Sequence, residues 1–231
     1  TQVTLKYALV FGGDGTVLYA SRLLSPHGIP LLCINTGSLG FISEIPLEEL
    51  YKALEKVLSG EFFIQERNML QIQIVDFENK ERCTYHALND AVIMRAPLSY
   101  IIELLTYIDG EYVTTYRSDG LIISSATGST AYSLSAGGPI MMPDVPAYIV
   151  NPICPHALFN RALVIPEWKE TWVRIQLREK NQEVLITMDG QSHEALRHED
   201  MVKISRSFFK ARFMRLHKKD FFHIMRNKLF L

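Results

Sequence analysis

The sequence predicts an α/β domain followed by a domain built from antiparallel strands. Two glycine-rich turns follow short apolar runs within the first 41 residues, as in α/β units. Beyond residue 61, strand-like segments recur at spacings of roughly 8–12 residues, a pattern typical of sandwiches. With 231 residues, of which 48% are hydrophobic, the chain has enough apolar material for a substantial core.

The elements of the first region follow from local composition. Leu5–Phe11 is a short run of strand formers, and Val17–Leu24 tolerates a helix. Ile29–Ile34 is continuously apolar, which indicates a parallel strand buried on both faces. A second helix is expected over residues 46–60, because Pro46 suits a first helical position and Gly60 a helix end. We therefore predict a partial Rossmann-like domain over residues 1–62.

The second region, residues 63–217, is predicted to be an antiparallel, β-sandwich-like domain. Gln71–Val75 alternates polar and apolar residues with the period of a half-buried strand. Further strands are expected at Ala91–Met94, Ile101–Ile108, Glu111–Tyr116, Leu121–Ser124, Val173–Leu177 and Val184–Met188. Residues 218–231 are expected to form a helix that packs back on the first domain.

The charge distribution restricts the partners. The net charge of −1 argues against a polycation that coats nucleic acid, and no apolar run reaches the length of about 18 residues that a membrane span needs. Residues 203–231 nevertheless carry nine basic side chains and one acidic one. Residues 1–200 carry 15 basic and 24 acidic side chains. Such a segment can serve nucleic acid or lipid; alternatively, it is a solvated face or contacts the acidic remainder of the chain or of its oligomer. We favour the second interpretation and expect no nucleic-acid or membrane partner.

The cysteines indicate a reducing compartment; we expect the cytoplasm, with an organelle as the open alternative. Cys33, Cys83 and Cys154 are odd in number and widely spaced, which fits neither a disulfide framework nor a zinc cluster.

The first candidate site is the turn Gly12-Gly13-Asp14-Gly15-Thr16. Its glycines let backbone N–H groups approach a phosphate closely. A carboxylate would repel phosphate oxygens, so Asp14 suggests work on a hydroxyl or a metal beside the phosphates. The alternative is a sharp turn in which Asp14 caps the helix. A second turn, Asn35–Phe41, is expected at the same rim of the sheet, where open α/β sheets bind ligands.

Two further segments carry polar groups suited to a ligand. Asn89 and Asp90 can hydrogen-bond a base edge and ribose hydroxyls, although a simple turn before a strand is an equal alternative. Residues 120–143 contain no charge but four glycines, five serines and two threonines, which indicates buried or ligand-lining backbone. Tyr132 within it can stack on a ligand or donate a hydrogen bond.

Taken together, these motifs resemble those of the NAD kinase family. The residues that carry the resemblance, in order along the chain, are Gly12–Thr16, Asn35–Phe41, Asn89-Asp90, Thr127–Ser133 and Asn151–Leu158. The similarity extends from about Val10 to Gln191. The turn at residues 12–16 alone is shared with diacylglycerol and related lipid kinases, whereas the full set is specific.

The resemblance implies a kinase that uses ATP to phosphorylate the adenosine ribose 2′-hydroxyl of NAD, giving NADP. It assigns Asp14 as the general base or hydroxyl-orienting group. Phosphate contacts are implied for Gly12, Gly13, Gly15 and Thr16. NAD contacts are implied for Asp14, Gly15, Asn89, Asp90, Arg117, Asp119, Thr130, Ala131, Tyr132, Ser135 and Gln191. Mg²⁺ is expected to arrive with ATP rather than in a protein metal site.

Two departures from the family pattern bear on these expectations. Asp90 stands where the family often has Glu, so its carboxylate is one methylene shorter. Only 13 residues precede Asp14, where the family usually has several tens, so the first sheet would keep an exposed edge. We therefore expect a homo-oligomer, a dimer or tetramer, or a strand-completing partner. The alternatives in function are a lipid kinase and a weakly active NAD(P)-binding regulatory module.

Overall fold

The structure is a computed structural model that describes residues 5–37, 40–97, 100–156, 161–179, 182–217 and 221–229. It confirms the predicted fold class, an α/β region and a region of antiparallel sheets. The chain divides into two compact units, Thr1–Arg67 with Phe209–Leu231, and Asn68–Phe208. Expectations for residues 38–39, 157–158, 218–220 and 230–231 fall outside the described part.

The first unit begins as a strand–helix–strand arrangement. Its first elements are β1 (Ala8–Phe11), α1 (Asp14–Leu24), β2 (Leu31–Asn35), β3 (Ile45–Pro46) and α2 (Leu50–Leu58). β1 and β3 both run parallel to β2. The five residues of β2 are all buried, as its continuous apolar sequence predicts.

The second helix starts later than predicted. Pro46 has extended backbone and precedes a single 3₁₀ turn, Leu47–Glu49, so the α-helix begins only at Leu50. Ala53 and Val57 form its buried face, and Val57 joins a core with Leu32 of β2.

The remaining elements follow in chain order. They are β4 (Phe63–Val75), β5 (Glu81–Ala87), β6 (Asp90–Arg95), β7 (Ile102–Ile108), β8 (Glu111–Ser118), β9 (Gly120–Ser125), α3 (Tyr132–Ser135), β10 (Ala147–Ile153), β11 (Leu163–Pro166), β12 (Thr171–Gln176), β13 (Val184–Met188), β14 (Ser192–Leu196), β15 (Met201–Arg215) and α4 (Phe221–Leu229). The limits of the compact units lie inside β4 and β15, whereas we placed them at residues 62 and 217. Both strands are continuous at those points, so the sequence shows no break there.

The second unit is a sandwich of antiparallel strands. Six of the described strands form one sheet in the order β11-β10-β9-β6-β13-β14. In the other sheet, β8 pairs with β7, β7 with β12, and β12 with the first half of β15. β4 pairs with β5. Both groups of strands contribute to one apolar core, for example Ile93 and Ile123 from the first and Val173 and Val202 from the second.

The first part of the basic segment, residues 203–215, lies in the strand β15, which its composition did not predict. Along β15, buried Val202 and Ile204 flank half-buried Lys203, and buried Ala211 and Phe213 flank half-buried Arg212. Arg206 forms an ion pair with Glu167, and both Lys210 and Arg212 pair with Glu66. For these residues, the interpretation that the basic segment contacts acidic groups of the same chain is confirmed.

Among the described helices, the longest has 11 residues, and none is long and apolar enough to cross a membrane.

Candidate functional site

The two glycine turns of the first unit meet at one rim of its parallel strands. Both turns follow the carboxyl ends of β1 and β2, as predicted, and the Gly12 N–H donates to the carbonyl of Ile34 at 3.0 Å. Gly12 has φ of +150°, and a Cβ there would lie 2.3 Å from Thr16 Oγ1. Glycine is therefore required at this position by conformation and by space.

The carboxylate of Asp14 is held by three consecutive amides of the second turn. Phe41 N–H donates to Oδ2 at 2.8 Å, and the N–H groups of Ile42 and Ser43 both donate to Oδ1 at 3.1 Å. We call residues 41–43 the amide cradle. Since a carboxylate oxygen has about two acceptor sites, the cradle occupies both sites of Oδ1, and the described residues leave one site on Oδ2.

Asp14 is not the cap of its helix. The N-cap position of α1 belongs to Gly13, and no side chain caps it. Asp14 is the first residue of the helix and turns its carboxylate to the cradle instead. The capping alternative for Asp14 is therefore wrong.

The loop that carries the cradle approaches Asp14 too closely for any side chain at Gly40. A Cβ on Gly40 would lie 2.0 Å from Asp14 Oδ1. Asn35 Nδ2 donates to the Ser43 carbonyl at 3.2 Å, and Ser43 Oγ donates to the Gly12 carbonyl at 3.2 Å. The two glycine turns are thus tied together around one carboxylate.

The other residues of the first turn line the start of α1. Gly13, Gly15 and Thr16 are exposed. The amino end of an 11-residue helix carries a partial positive charge and favours an anion such as phosphate.

In the second unit, a further aspartate holds three consecutive amides. Leu88 N–H donates to Asp189 Oδ2 at 3.0 Å, and the N–H groups of Asn89 and Asp90 donate to Oδ1 at 2.7 and 3.2 Å. Asp189 is buried and has a φ of +53° in the turn after β13. Asp189 was not among the predicted site residues; the Asp189-Gly190 pair at the end of a strand was the signal available in the sequence.

The side chain of Asn89 presents a buried acceptor. Its Oδ1 atom has no hydrogen-bond partner among the described residues. The Asn89 carbonyl accepts from Ser125 N–H at 2.8 Å, so the backbone is fixed from two sides. A buried acceptor without a donor is costly, and a donor from a bound molecule would offset that cost.

Asp90 carries a perturbed carboxyl group at the start of β6. Burial, and secondly the negative charge of Asp189, raise the pKa of Asp90 to about 7. The side chain is therefore divided between its neutral and charged forms near neutral pH.

The uncharged segment approaches Asn89 and Asp90 through strand pairing. Asp90 is opposite Ser124 in the β6–β9 pair, and a Cβ on Gly128 would lie 2.2 Å from the Asn89 carbonyl oxygen. Buried Ser129 bonds the carbonyl of Ala126 and the N–H of Met141. Within this segment residues 120–126, 128 and 129 are buried, as predicted, whereas five of residues 131–140 are exposed, and for these a ligand-lining role stays a prediction.

Four predicted ligand contacts lie on the short helical turns that follow. Thr130 ends a 3₁₀ turn and Ala131 joins it to α3, where Tyr132 and Ser135 are the first and last residues. Tyr132 is 40% exposed.

Gln191 lies at the same end of the sheet as Asp189. Arg117 and Asp119 do not lie beside Asn89 and Asp90 within the chain. Asp119 forms an ion pair with Arg95, at the opposite end of β6 from Asp90. Asp90 and Arg95 are five residue steps apart along the strand, roughly 17 Å. Arg117 is exposed and pairs with Glu103 at 3.4 Å.

Within the described part of the chain, no three His, Cys, Asp or Glu side chains are grouped so that they could hold a metal ion.

Comparisons with known proteins agree with the resemblance. Residues 2–62 match the family model for the ATP-NAD kinase N-terminal domain, and residues 88–216 match that for the ATP-NAD kinase C-terminal domain. The NAD kinase of Moorella thermoacetica is 47% identical over 96% of this chain and 70% of its own length. The NAD kinase of Geobacter sulfurreducens is 44% identical over 98% of this chain and 79% of its own length.

Solved structures show the same fold. Yeast NADH kinase complexed with NADH has a TM-score of 0.89 and 28% identity; the match covers 97% of this chain and 65% of the yeast chain. An NAD kinase from Archaeoglobus fulgidus in complex with ATP has a TM-score of 0.79 and 24% identity. The match covers 96% of this chain and 82% of the Archaeoglobus chain.

Proposed function

The chain belongs to the NAD kinase family, and on that basis we propose that it transfers the terminal phosphoryl group of ATP to the adenosine ribose 2′-hydroxyl of NAD, forming NADP. The observation that carries the proposal is the state of Asp14. Its carboxylate is fixed by three amides, and the part of the chain that the structure describes leaves one acceptor site on Oδ2.

In this mechanism Asp14 Oδ2 accepts the hydrogen bond of the 2′-hydroxyl and orients the oxygen for attack on the phosphorus. Phosphoryl transfer has a loose transition state, so a strong base is not needed early in the reaction. The hydroxyl proton passes to Oδ2 as the new O–P bond forms and the bond to ADP breaks. Because the amide cradle fixes the Asp14 carboxylate before the reaction, less orientational freedom is lost on reaching the transition state, which favours the reaction.

The glycine turn would bind the phosphates. Gly12, Gly13, Gly15 and Thr16 surround the amino end of α1, whose partial positive charge favours an anion. A divalent cation such as Mg²⁺ would arrive bound to the ATP phosphates, as is usual for this ion.

The cluster around Asn89 would bind adenosine. The buried Oδ1 of Asn89 is suited to accept from an amino group on a base, and Asp90 to accept from ribose hydroxyls. Thr130, Ala131, Tyr132 and Ser135 would surround the same moiety, with Gln191 at the neighbouring turn. For Arg117 and Asp119, NAD contacts stay a prediction.

The test is an assay with purified protein, ATP, Mg²⁺ and NAD, in which an NADP-specific dehydrogenase reads out the product. Formation of NADP is expected. Turnover of diacylglycerol without NADP formation would favour the lipid kinase. Binding of NAD with no NADP formed would favour the regulatory module.

We further propose that the protein forms homo-oligomers. Large apolar side chains on the second unit support this, because Phe208 is 93% and Trp168 72% exposed in the single chain. Sedimentation velocity at high concentration should show a species larger than a monomer; a monodisperse monomer would contradict the proposal.

A cytoplasmic, reducing compartment is the third proposal. The three cysteines support it, since Cys33, Cys83 and Cys154 are all free thiols.

A further inference from the structure

Arg215, the last residue of β15, is buried in the first unit beside the amide cradle. Only 4% of its side chain is exposed. Its Nη1 donates to the carbonyl of Ile42 at 2.9 Å, and its Nε donates to Gln65 Oε1 at 2.9 Å. Glu44 Oε1 lies 3.3 Å from Nη1 and supplies the opposing charge.

Burying this guanidinium is costly for the fold. Desolvation of two charges often exceeds their mutual attraction, even in a well-formed pair. The Nη2 atom is also buried, and the described residues offer it no acceptor. Apolar side chains of similar volume in place of both Arg215 and Glu44 would avoid these costs, so the stability of the fold alone does not account for the buried ion pair.

The contact with Ile42 fixes one peptide plane. The Ile42 carbonyl and the Ser43 N–H belong to the same peptide group, which is planar and trans, so the two point in opposite directions. Arg215 holds the carbonyl, and the Ser43 N–H donates to Asp14 Oδ1 at 3.1 Å. Rotation of this plane would turn the carbonyl oxygen toward the carboxylate and replace an attraction by a repulsion.

We propose that Arg215 is a positioning residue for Asp14, which acts by locking the Ile42–Ser43 peptide in the orientation that saturates Oδ1. With Oδ1 saturated, Oδ2 is the oxygen with an acceptor site left for the substrate hydroxyl. The assignment of Oδ2 to the hydroxyl rests on the proposed function; the geometry of the lock does not.

Two variants separate the lock from the charge. Arg215→Lys keeps a positive charge opposite Glu44 but replaces the planar fork by a single ammonium. Arg215→Met keeps an apolar stem and removes every donor. Arg212→Lys is the matched control, because Arg212 lies on the same strand and bonds Gly28 and Glu66 rather than the cradle.

The first measurement is amide hydrogen exchange of residues 41–43, which needs no substrate. Both Arg215 variants should exchange these amides at least tenfold faster than the wild-type protein, with Met the faster. Arg212→Lys should leave them unchanged. Unchanged protection in both Arg215 variants would overturn the proposal, whatever the enzyme activity.

The second measurement is steady-state kinetics of NADP formation. A misplacement of about 1 Å costs on the order of 100-fold in rate, so we expect kcat to fall 10- to 100-fold while KM for NAD changes less than threefold. The Arg212→Lys variant should stay within twofold of the wild type in kcat. Faster exchange with unchanged kcat would overturn the positioning role.

A double-mutant cycle tests whether Arg215 acts through Asp14. In an Asp14→Asn background, Arg215→Lys should lower the residual rate by less than twofold, because the group it positions is already absent. A further loss equal to that in the wild-type background would show a general structural effect and contradict the proposal. Failure of the proposed function is separately visible, as an absence of NADP from the wild-type protein.

Discussion

Two aspartates in this chain bind backbone in the same way but differ in accessibility. Asp14 and Asp189 each accept three consecutive N–H groups, one on Oδ2 and two on Oδ1. Asp189 is buried, whereas Asp14 is only half-buried. The same local bonding therefore stabilises a turn beside β6 in one case and leaves a carboxylate able to meet a substrate in the other.

Asp90 should make stability depend on pH. Burial and Asp189 raise its folded-state pKa to about 7, above the value of about 3.9 in an unfolded chain. The folded state then binds more protons between these two values, so stability falls as pH rises from about 4 to about 7. The free energy of unfolding should therefore fall by roughly 2–4 kcal/mol over this pH range because of Asp90, and this fall should be absent in Asp90→Asn.

Urea unfolding at pH 5 and pH 8 measures the effect. The free energy of unfolding of the wild-type protein should fall relative to that of Asp90→Asn between the two values. An equal difference between the two proteins at both pH values would show that Asp90 has no raised pKa.

Gly40 should tolerate no side chain. Gly40→Ala would place a Cβ 2.0 Å from Asp14 Oδ1, so the carboxylate or the cradle must move. We expect at least a tenfold loss of kcat, measured as NADP formation. Gly37→Ala is the control, since a Cβ there meets no atom within 4 Å. Equal kcat for the two variants would contradict this geometry.

At the scale of elements, the sequence predicted the positions of both glycine turns but not their contacts. The apolar run Leu31–Ile34 and the glycines after β1 are strong local signals of a strand and of a turn. Because β1 and β2 are parallel, both turns lie at the same rim of the sheet. The amide cradle was missed because backbone groups leave no signature in side-chain composition. Arg215 was counted only as one of nine basic residues, and its burial depends on a strand pairing distant in sequence.

Ser129 should contribute to the order of the uncharged segment. Its hydroxyl donates to the Ala126 carbonyl at 2.8 Å and accepts from Met141 N–H at 3.0 Å, both buried. Ser129→Ala leaves that N–H without its acceptor and should cost about 1–3 kcal/mol in chemical unfolding. Ser59→Ala, which removes an exposed hydroxyl, should cost less than 0.5 kcal/mol by the same measurement. Similar costs for both would contradict the role of Ser129.

For the whole molecule, the described pairs of the basic segment join it to acidic groups of the same chain, and the exposed ones are expected to add little stability. Glu66 pairs with Lys210 and Arg212, and the three side chains are each more than 40% exposed. Exposed pairs contribute little, so Glu66→Gln should change the free energy of unfolding by less than about 1 kcal/mol. Thermal or urea unfolding at low salt checks this; a loss above 2 kcal/mol would show that the pairs are needed for the fold.

The predicted division at residues 62 and 217 differs by a few residues from the limits of the compact units. Composition changes near residue 61, but β4 and β15 are continuous across the limits of the compact units. β15 has no Gly, Pro or polar run at Phe208–Phe209, and the polar run 65–68 at the other limit lies within a continuous strand. The change in composition therefore reports the beginning of a strand rather than the limit of a unit.

The central claim is that the carboxylate of Asp14 promotes phosphoryl transfer to NAD. The most direct test compares Asp14→Asn with the wild-type protein in NADP formation, with NAD affinity measured by calorimetry on both. A positioned proton acceptor contributes about 10²–10⁴-fold, so we expect kcat to fall by that factor while the Kd for NAD changes less than threefold. A loss of kcat below tenfold would contradict the claim.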